Sequence, residues 1–100
     1  MKQYKLLPAA ESDLENIWHY TARTWGVEQA VTYIDGLDQT FQLLAESPLI
    51  CRERWEFSPP VRIHHHEKHL VIYLVKDTDI HIVRILHETM DIGAQIDEEE

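Results

Sequence analysis

Residues 79–87 read Asp-Ile-His-Ile-Val-Arg-Ile-Leu-His, and this run constrains the fold more than any other. As a strand it carries apolar side chains on both faces, so both faces want cover. One residue breaks the apolar run from within. Arg84 cannot shed its charge, so it must reach water, a carboxylate or a partner. Leu70 to Val75 is apolar at nearly every position and makes the same demand. The chain must therefore place layers on two sides of these strands, or leave one side for another molecule.

The rest of the sequence offers only two long helices for that task. Gln3 to Leu7 reads as a short strand stopped at Pro8. Ser12, or a residue just before it, is the expected helix cap, with Glu11, Asp13 and Glu15 in the first turn, where the macrodipole favours carboxylates. Ala10, Leu14, Ile17, Trp18, Thr21 and Trp25 recur at helical spacing, and Gly26 is the natural stop. This pattern places Trp18 and Trp25 in the core and leaves Tyr20 and Tyr33 half exposed. Ala30, Ile34, Leu37, Phe41 and Leu44 form a second apolar face, ended by Pro48. The short link makes an antiparallel helical hairpin. Beyond Pro48 the spacing changes to that of strands: Glu53 to Phe57, Val61 to His65, Leu70 to Val75 and Ile80 to His87, with turns at 66–68 and 76–79. Short turns imply antiparallel neighbours.

The expected fold is α+β: an N-terminal strand, then a helical hairpin packed on one face of an antiparallel sheet. Residues 1–91 form the domain, and 92–100 an acidic, mobile tail ending in Asp97-Glu98-Glu99-Glu100. The hairpin covers one sheet face, and the other is expected to meet a partner. The apolar positions assigned to that contact are Leu70, Ile72, Leu74, Ile82 and Leu86, and Arg84 is expected to bind a partner carboxylate or to hold the C-terminal turn through Asp91.

Composition narrows the function classes. The chain has 100 residues and a formal net charge of −9, a field that opposes binding to phosphate backbones. No direct nucleic-acid partner is expected. No apolar run approaches the roughly 18 residues of a membrane span, and the first residues lack the apolar stretch of a signal peptide. The single cysteine, Cys51, allows no internal disulfide and fits a reducing cytoplasm.

Three kinds of chemistry can be drawn from the remaining residues. His64, His65, His66, His69, His81 and His87 suggest a metal, but no cysteine or carboxylate pair stands at familiar zinc spacing. No metal or other cofactor is expected. Cys51 with a histidine base could act as a nucleophile, though sequence order alone does not pair them. An RNase would need an acid, a base and concentrated cations. Arg52, Arg54, Arg62 and Arg84 are the candidate cations, with His65 or His87 as acid or base. The excess of negative charge favours solvated or internally paired arginines instead. Arg54, Arg62 and His87 are then retained as candidate partner contacts.

The ordered series Glu11-x-Asp13-Leu14-x-x-Ile17-Trp18-x-Tyr20, Trp25-Gly26-x-x-Gln29-Ala30-x-x-Tyr33, Leu37, Phe41, Leu44, Pro48, Arg54, His69-Leu70-x-x-Tyr73 and Ile82-Val83-Arg84-Ile85-Leu86-His87-x-x-Met90-Asp91 resembles the ParE branch of the RelE/ParE family of type II toxin–antitoxin toxins. The closing segment is its most specific part. The resemblance implies a cytoplasmic bacterial toxin that inhibits DNA gyrase by binding, and a hetero-oligomer with a ParD-like antitoxin whose C-terminal segment wraps it. Arg84 matches the family's last-strand arginine. The related RelE branch cleaves mRNA on the ribosome, and that activity is the alternative function. A third is a non-toxic module that only binds an antitoxin-like segment. No tyrosine follows Arg84 and lysines are few, which disfavours the RNase. Cys51 stands where many relatives have glycine, and the acidic tail is unlike the usual toxin terminus.

Overall fold

A computed structural model describes residues 3–97, with the side chain of Asp97 left aside. The elements run β1 (Gln3–Leu6), α1 (Pro8–Trp25), α2 (Val27–Glu46), β2 (Glu53–Arg54), β3 (Val61–His66), β4 (His69–Val75), β5 (Asp79–His87) and α3 (Ile92–Asp97). The mixed α+β architecture expected from sequence is present, with α1 and α2 packed against a five-stranded sheet ordered β1-β5-β4-β3-β2.

Local chemistry sets the helix boundaries. α1 starts at Pro8, a turn before Ser12, without any side-chain cap. Proline suits that first position because its missing N–H would have had no helical partner. Asp13 therefore lies beyond the first turn and is free for another task. Gly26 alone joins the two long helices: its φ of +101° is open to glycine, and its N–H donates to Ala22 O at 3.0 Å. α2 runs to Glu46, and Ser47 and Pro48 follow.

One pairing departs from the expected antiparallel sheet. β1 runs parallel to β5, Gln3 to Leu6 lying beside Asp79 to Ile82, while the other neighbours are antiparallel. β1 gives out at Leu7, whose N–H donates to Ile82 O at 3.1 Å. Among the described residues, no strand lies beside this edge of β5 beyond Ile82.

A register shift in β5 explains its double-sided apolar pattern. Ile72 lies opposite Arg84 and Tyr73 opposite Ile82, so Val83 is an extra residue in the ladder. On the helix side Ile80, Ile82 and Ile85 join Val71, Tyr73, Leu37 and Phe41 in the larger core cluster. On the other side Val83 and Leu86 join Ile72 and Val61. Ile82 therefore does not face away from the hairpin, as regular alternation with Leu86 would require; the bulge puts the two on opposite faces.

The second face is also covered from within the chain. Ile96 of α3 is buried against Val61, Ile72, Val83 and Leu86, with Ile92 and Phe57 alongside. The expected tail from residue 92 is thus corrected. Ile92 and Ile96 stand one helical turn apart and share a face, and Asp91 Oδ1 accepts the Ala94 N–H at 3.3 Å at the helix start. The rest of the expected tail, residues 98–100, lies outside the described residues.

Candidate functional site: Arg84 and a histidine-rimmed groove

Arg84 was expected to find its carboxylate outside the chain or at Asp91. It finds it on α1. Arg84 Nε donates to Asp13 Oδ2 at 2.8 Å and Nη2 donates to Oδ1 at 2.9 Å, the two-pronged geometry that suits guanidinium and carboxylate. Both side chains are 14% exposed. The Ile85 N–H, on the stretch of β5 that β1 does not reach, donates to the same Asp13 Oδ2 at 2.9 Å. Gln95 Oε1 of α3 accepts from Arg84 Nη1 at 3.5 Å. One arginine therefore ties the hairpin, β5 and α3 together.

The other expected contact residues do not come together. Ile72, Ile82 and Leu86 are buried in the two core clusters. Their apolar character reflects intramolecular packing, so in this conformation they present no surface. Leu70 and Leu74 remain half-buried at the margin of the second cluster. Arg54 pairs with Glu56 at 2.7 Å and stacks over Phe57, which holds the Glu56 carboxyl below its ordinary range. Arg62 Nη1 donates to Cys51 O at 2.5 Å. The arginines thus serve local structure, and they are not gathered around one reacting atom.

The loop between α2 and β2 is held by buried polar contacts. Tyr73, fully buried, donates its hydroxyl to Pro48 O at 2.9 Å, and burial pushes its pKa up. Cys51 Sγ lies 3.6 Å from His64 Nδ1. At the other sheet edge Tyr4 donates to Asp38 Oδ1, and burial, reinforced by that carboxylate, raises its pKa to about 12.

Of the expected residues, His87 alone lies in an open concavity. A groove of about 810 Å³ runs between the hairpin and the β4–β5 end of the sheet, lined by Ile17, Tyr20, Trp25, Tyr33, Lys68, His69, His87 and Met90 among others. Trp25 is 71% and Tyr20 61% exposed. Trp25 was expected in the core, but it is the last residue of α1 and Gly26 turns the chain at once. Tyr33 of α2 bonds His69 Nδ1 at 2.6 Å, and the His69 and His87 rings meet edge to face at 5.6 Å. His66 lies behind Tyr33; its Nδ1 meets Thr40 Oγ1 at 2.9 Å, while its buried Nε2 has no hydrogen-bond partner among the described residues. Burial, with His87 and His66 nearby, pushes the His69 pKa down. Burial likewise lowers that of His64.

The lining of the groove is chemically mixed. It offers aromatic and aliphatic surface with imidazoles and one lysine at one end, and no arginine lines it. Among the described residues no three histidine, cysteine or acidic side chains converge to hold a metal. Sequence spacing did not reveal the groove, because Tyr33 and His69 lie 36 positions apart. The clustering of histidines is its trace in the sequence.

Comparison with known proteins agrees with this architecture. Residues 4–92 match the family described as ParE toxin of type II toxin–antitoxin system, parDE. Toxin ParE1 of Caulobacter vibrioides is 34% identical over 96% of this chain and 99% of its own length. Toxin ParE1 of Mycobacterium tuberculosis is 37% identical over 94% of this chain and 97% of its own length. Toxin ParE of Escherichia coli is 37% identical over 96% of this chain and 94% of its own. A solved structure described as a chromosomal ParDE TA system from P. aeruginosa superposes with a TM-score of 0.75 over 87% of this chain and 96% of that one, at 24% identity, which shows a shared fold. With both its sequence and its fold matched over nearly their whole length, this chain belongs to the ParE toxin family of type II toxin–antitoxin systems.

Proposed function

We propose that this chain arrests replication by binding DNA gyrase in the cytoplasm, without cleaving any bond itself, and that a ParD-like antitoxin neutralises it. The observation that carries the reading is the state of Arg84. The last-strand arginine is held on two oxygens of Asp13, and a guanidinium so engaged is poorly placed to stabilise a phosphorane. Arg54 and Arg62 are likewise tied to Glu56 and to the Cys51 carbonyl. With a net charge of −9, attraction to ribosomal RNA is weak. Binding is the chemistry left to this architecture, as in the gyrase-directed branch that the sequence resembles.

The antitoxin segment is expected to lie along the accessible apolar margin at Leu70 and Leu74, beside α3. Leu70→Ser paired with Leu74→Ser should weaken that complex while the helix-side core stays intact. The decisive assay is purified chain in gyrase supercoiling and ribosomal mRNA cleavage reactions, each with and without the protein of the neighbouring reading frame. Blocked supercoiling with accumulated cleaved DNA, reversed by that protein, and intact mRNA is the expected outcome. Ribosome-dependent mRNA cuts would overturn the reading.

A further inference from the structure

We propose that His66 and His69, backed by His87, form an acid-sensitive clamp. It fastens the β3–β4 turn to α2 while the rings are neutral and lets the turn go as they take up protons. The device lies in the fold itself and does not depend on which target the chain binds.

Strand register lines the three rings up. His66 lies opposite His69, and His69 opposite His87. Partners across a ladder share a sheet face. His69 shares its side of β4 with Val71 and Tyr73, which pack in the cluster beneath the helices. The row therefore faces the hairpin, one imidazole on each of three strands. Above it α2 presents Tyr33, Gly36 and Thr40, spaced three and four residues apart and so on one helix face. The Tyr33 ring stands against His66 and His69 at 5.6 and 5.5 Å. The His66 ring seats on Gly36, where an added Cβ would already touch its Cε1 and Nε2 at 3.6 Å.

The contact asks for uncharged rings. The Tyr33 hydroxyl meets His69 Nδ1 at 2.6 Å, and the Lys68 backbone N–H faces the same phenolic oxygen. With that N–H already a donor, the hydroxyl proton goes to Nδ1, which accepts it only when unprotonated. The groups facing His69 are Asp13 from α1, Tyr33 from α2, His66 from β3, and His87 and Glu88 from β5 and its exit; Lys68 precedes it in the turn. Burial, then His87 and His66, push its pKa below 6.5. A ring that resists charge when docked takes its proton more readily when released. The clamp is therefore complete above about pH 6.5 and weakens as pH falls below it. His66 faces Tyr33 from α2, His69 from β4, His64 on its own strand, and Glu67 in the turn. Its Nδ1 meets Thr40 Oγ1 at 2.9 Å, and either neutral tautomer leaves the buried Nε2 without a partner among the described residues. The exposed Glu67 carboxylate stands 3.8 Å from that atom, too far for a hydrogen bond. Asp13 is committed to Arg84 and Glu88 to His65, so of the carboxylates near the row Glu67 is the one left to meet an imidazolium. A second proton thus gives His66 a charge-assisted partner on its own hairpin, in place of its reliance on α2.

Histidine-ring and amide NMR on the full chain, between about pH 8 and pH 5.5, tests the clamp. At the upper end the Tyr33 ring should show strong proton–proton contacts to the His66 and His69 rings, and His69 should carry its proton on Nε2. Opening takes up at least one proton. Protection of the Lys68 amide against exchange, corrected for the intrinsic rate, should therefore fall about five- to tenfold at the lower end. The ring contacts should fade with it, while the amides of Val71 and Ile85 in the core keep their protection. His69→Asn keeps an acceptor near the place of Nδ1 and cannot be protonated, so it should flatten that fall. Tyr33→Phe removes the donor and should leave the Lys68 amide poorly protected across the whole range. Ring contacts and Lys68 protection that persist unchanged to the lower end would overturn the proposal. So would a His69→Asn chain that opens just as steeply, or protection lost across the entire sheet at once. Should His69→Asn fail to fold, a Tyr33→Phe chain with the parent's pH response overturns it equally.

Discussion

Removing the carboxylate of Asp13 is the sharpest perturbation this architecture offers. Asp13→Ala deletes both oxygens that hold Arg84 and leaves the Ile85 N–H without its acceptor. Each charged side chain is only 14% exposed, so solvent cannot fully replace the lost partner. Breaking a largely buried pair by removing one member costs about 3–5 kcal/mol, and the stranded backbone N–H accounts for about 1–3 kcal/mol of loss in comparable cases. These contributions overlap, so we expect about 3–5 kcal/mol in all. Single domains are stable by only about 5–15 kcal/mol. For a chain of 100 residues, a loss of this size lowers Tm by roughly 12 °C or more. Urea unfolding followed by circular dichroism measures it directly. Asp13→Asn should lose less, since one amide oxygen can still accept from Ile85. Combining Asp13→Leu with Arg84→Met should recover part of the loss, because two apolar side chains leave no stranded charge. An Asp13→Ala protein within about 1 kcal/mol of the parent, the range of exposed pairs, would refute the view that this contact locks hairpin, strand and C-terminal helix together.

Two further outcomes follow from the same structure. His64 and His69 both have lowered pKa values, so the unfolded chain binds protons more readily than the folded one in the window below the ordinary histidine value of 6.5. Their contribution to stability is complete above that value and is lost as pH falls below it; thermal melts between about pH 7 and pH 5 should show this fall, and a His64→Gln, His69→Gln protein whose melting temperature falls just as steeply would contradict it. Ile96→Ala removes the apolar peg of α3, and truncating a buried isoleucine costs about 2–5 kcal/mol, here toward the lower end because a short terminal helix can peel away locally; hydrogen exchange should quicken around Val83 and Leu86, and unchanged protection there would show that α3 does not seal the second face.

Periodic features were legible in the sequence, and singular ones were not. The four-and-three spacing from Ala30 to Leu44 and the stop at Pro48 placed α2 closely. The turns at 66–68 and 76–79 placed the hairpins. Start signals misled where two competed: Ser12 is a good cap by type, but Pro8 already had the φ that a helix start needs. α3 escapes apolar-spacing rules because it is only six residues long and runs into an acidic end; the one-turn spacing of Ile92 and Ile96 behind Asp91 is its sign in the sequence.

The partner of Arg84 shows why the site was harder to read than the fold. Sequence required a carboxylate or water for this charge, and that much was correct. The choice among candidates rested on an assumption of regular alternation in β5 and of open space behind it. The extra residue at Val83 breaks that alternation, and the early end of β1 at Leu7 leaves the β5 edge open to α1. Asp13 fills that opening from 71 positions away. Neither the bulge nor the short strand has a signature at the level of apolar spacing, since Ile, Val and Leu suit either face. An apolar run on a central strand therefore does not by itself predict a partner surface. The apolar surface that stays accessible lies where the chain's own third layer ends, at the half-buried Leu70 and Leu74 margin and at the groove beside Trp25.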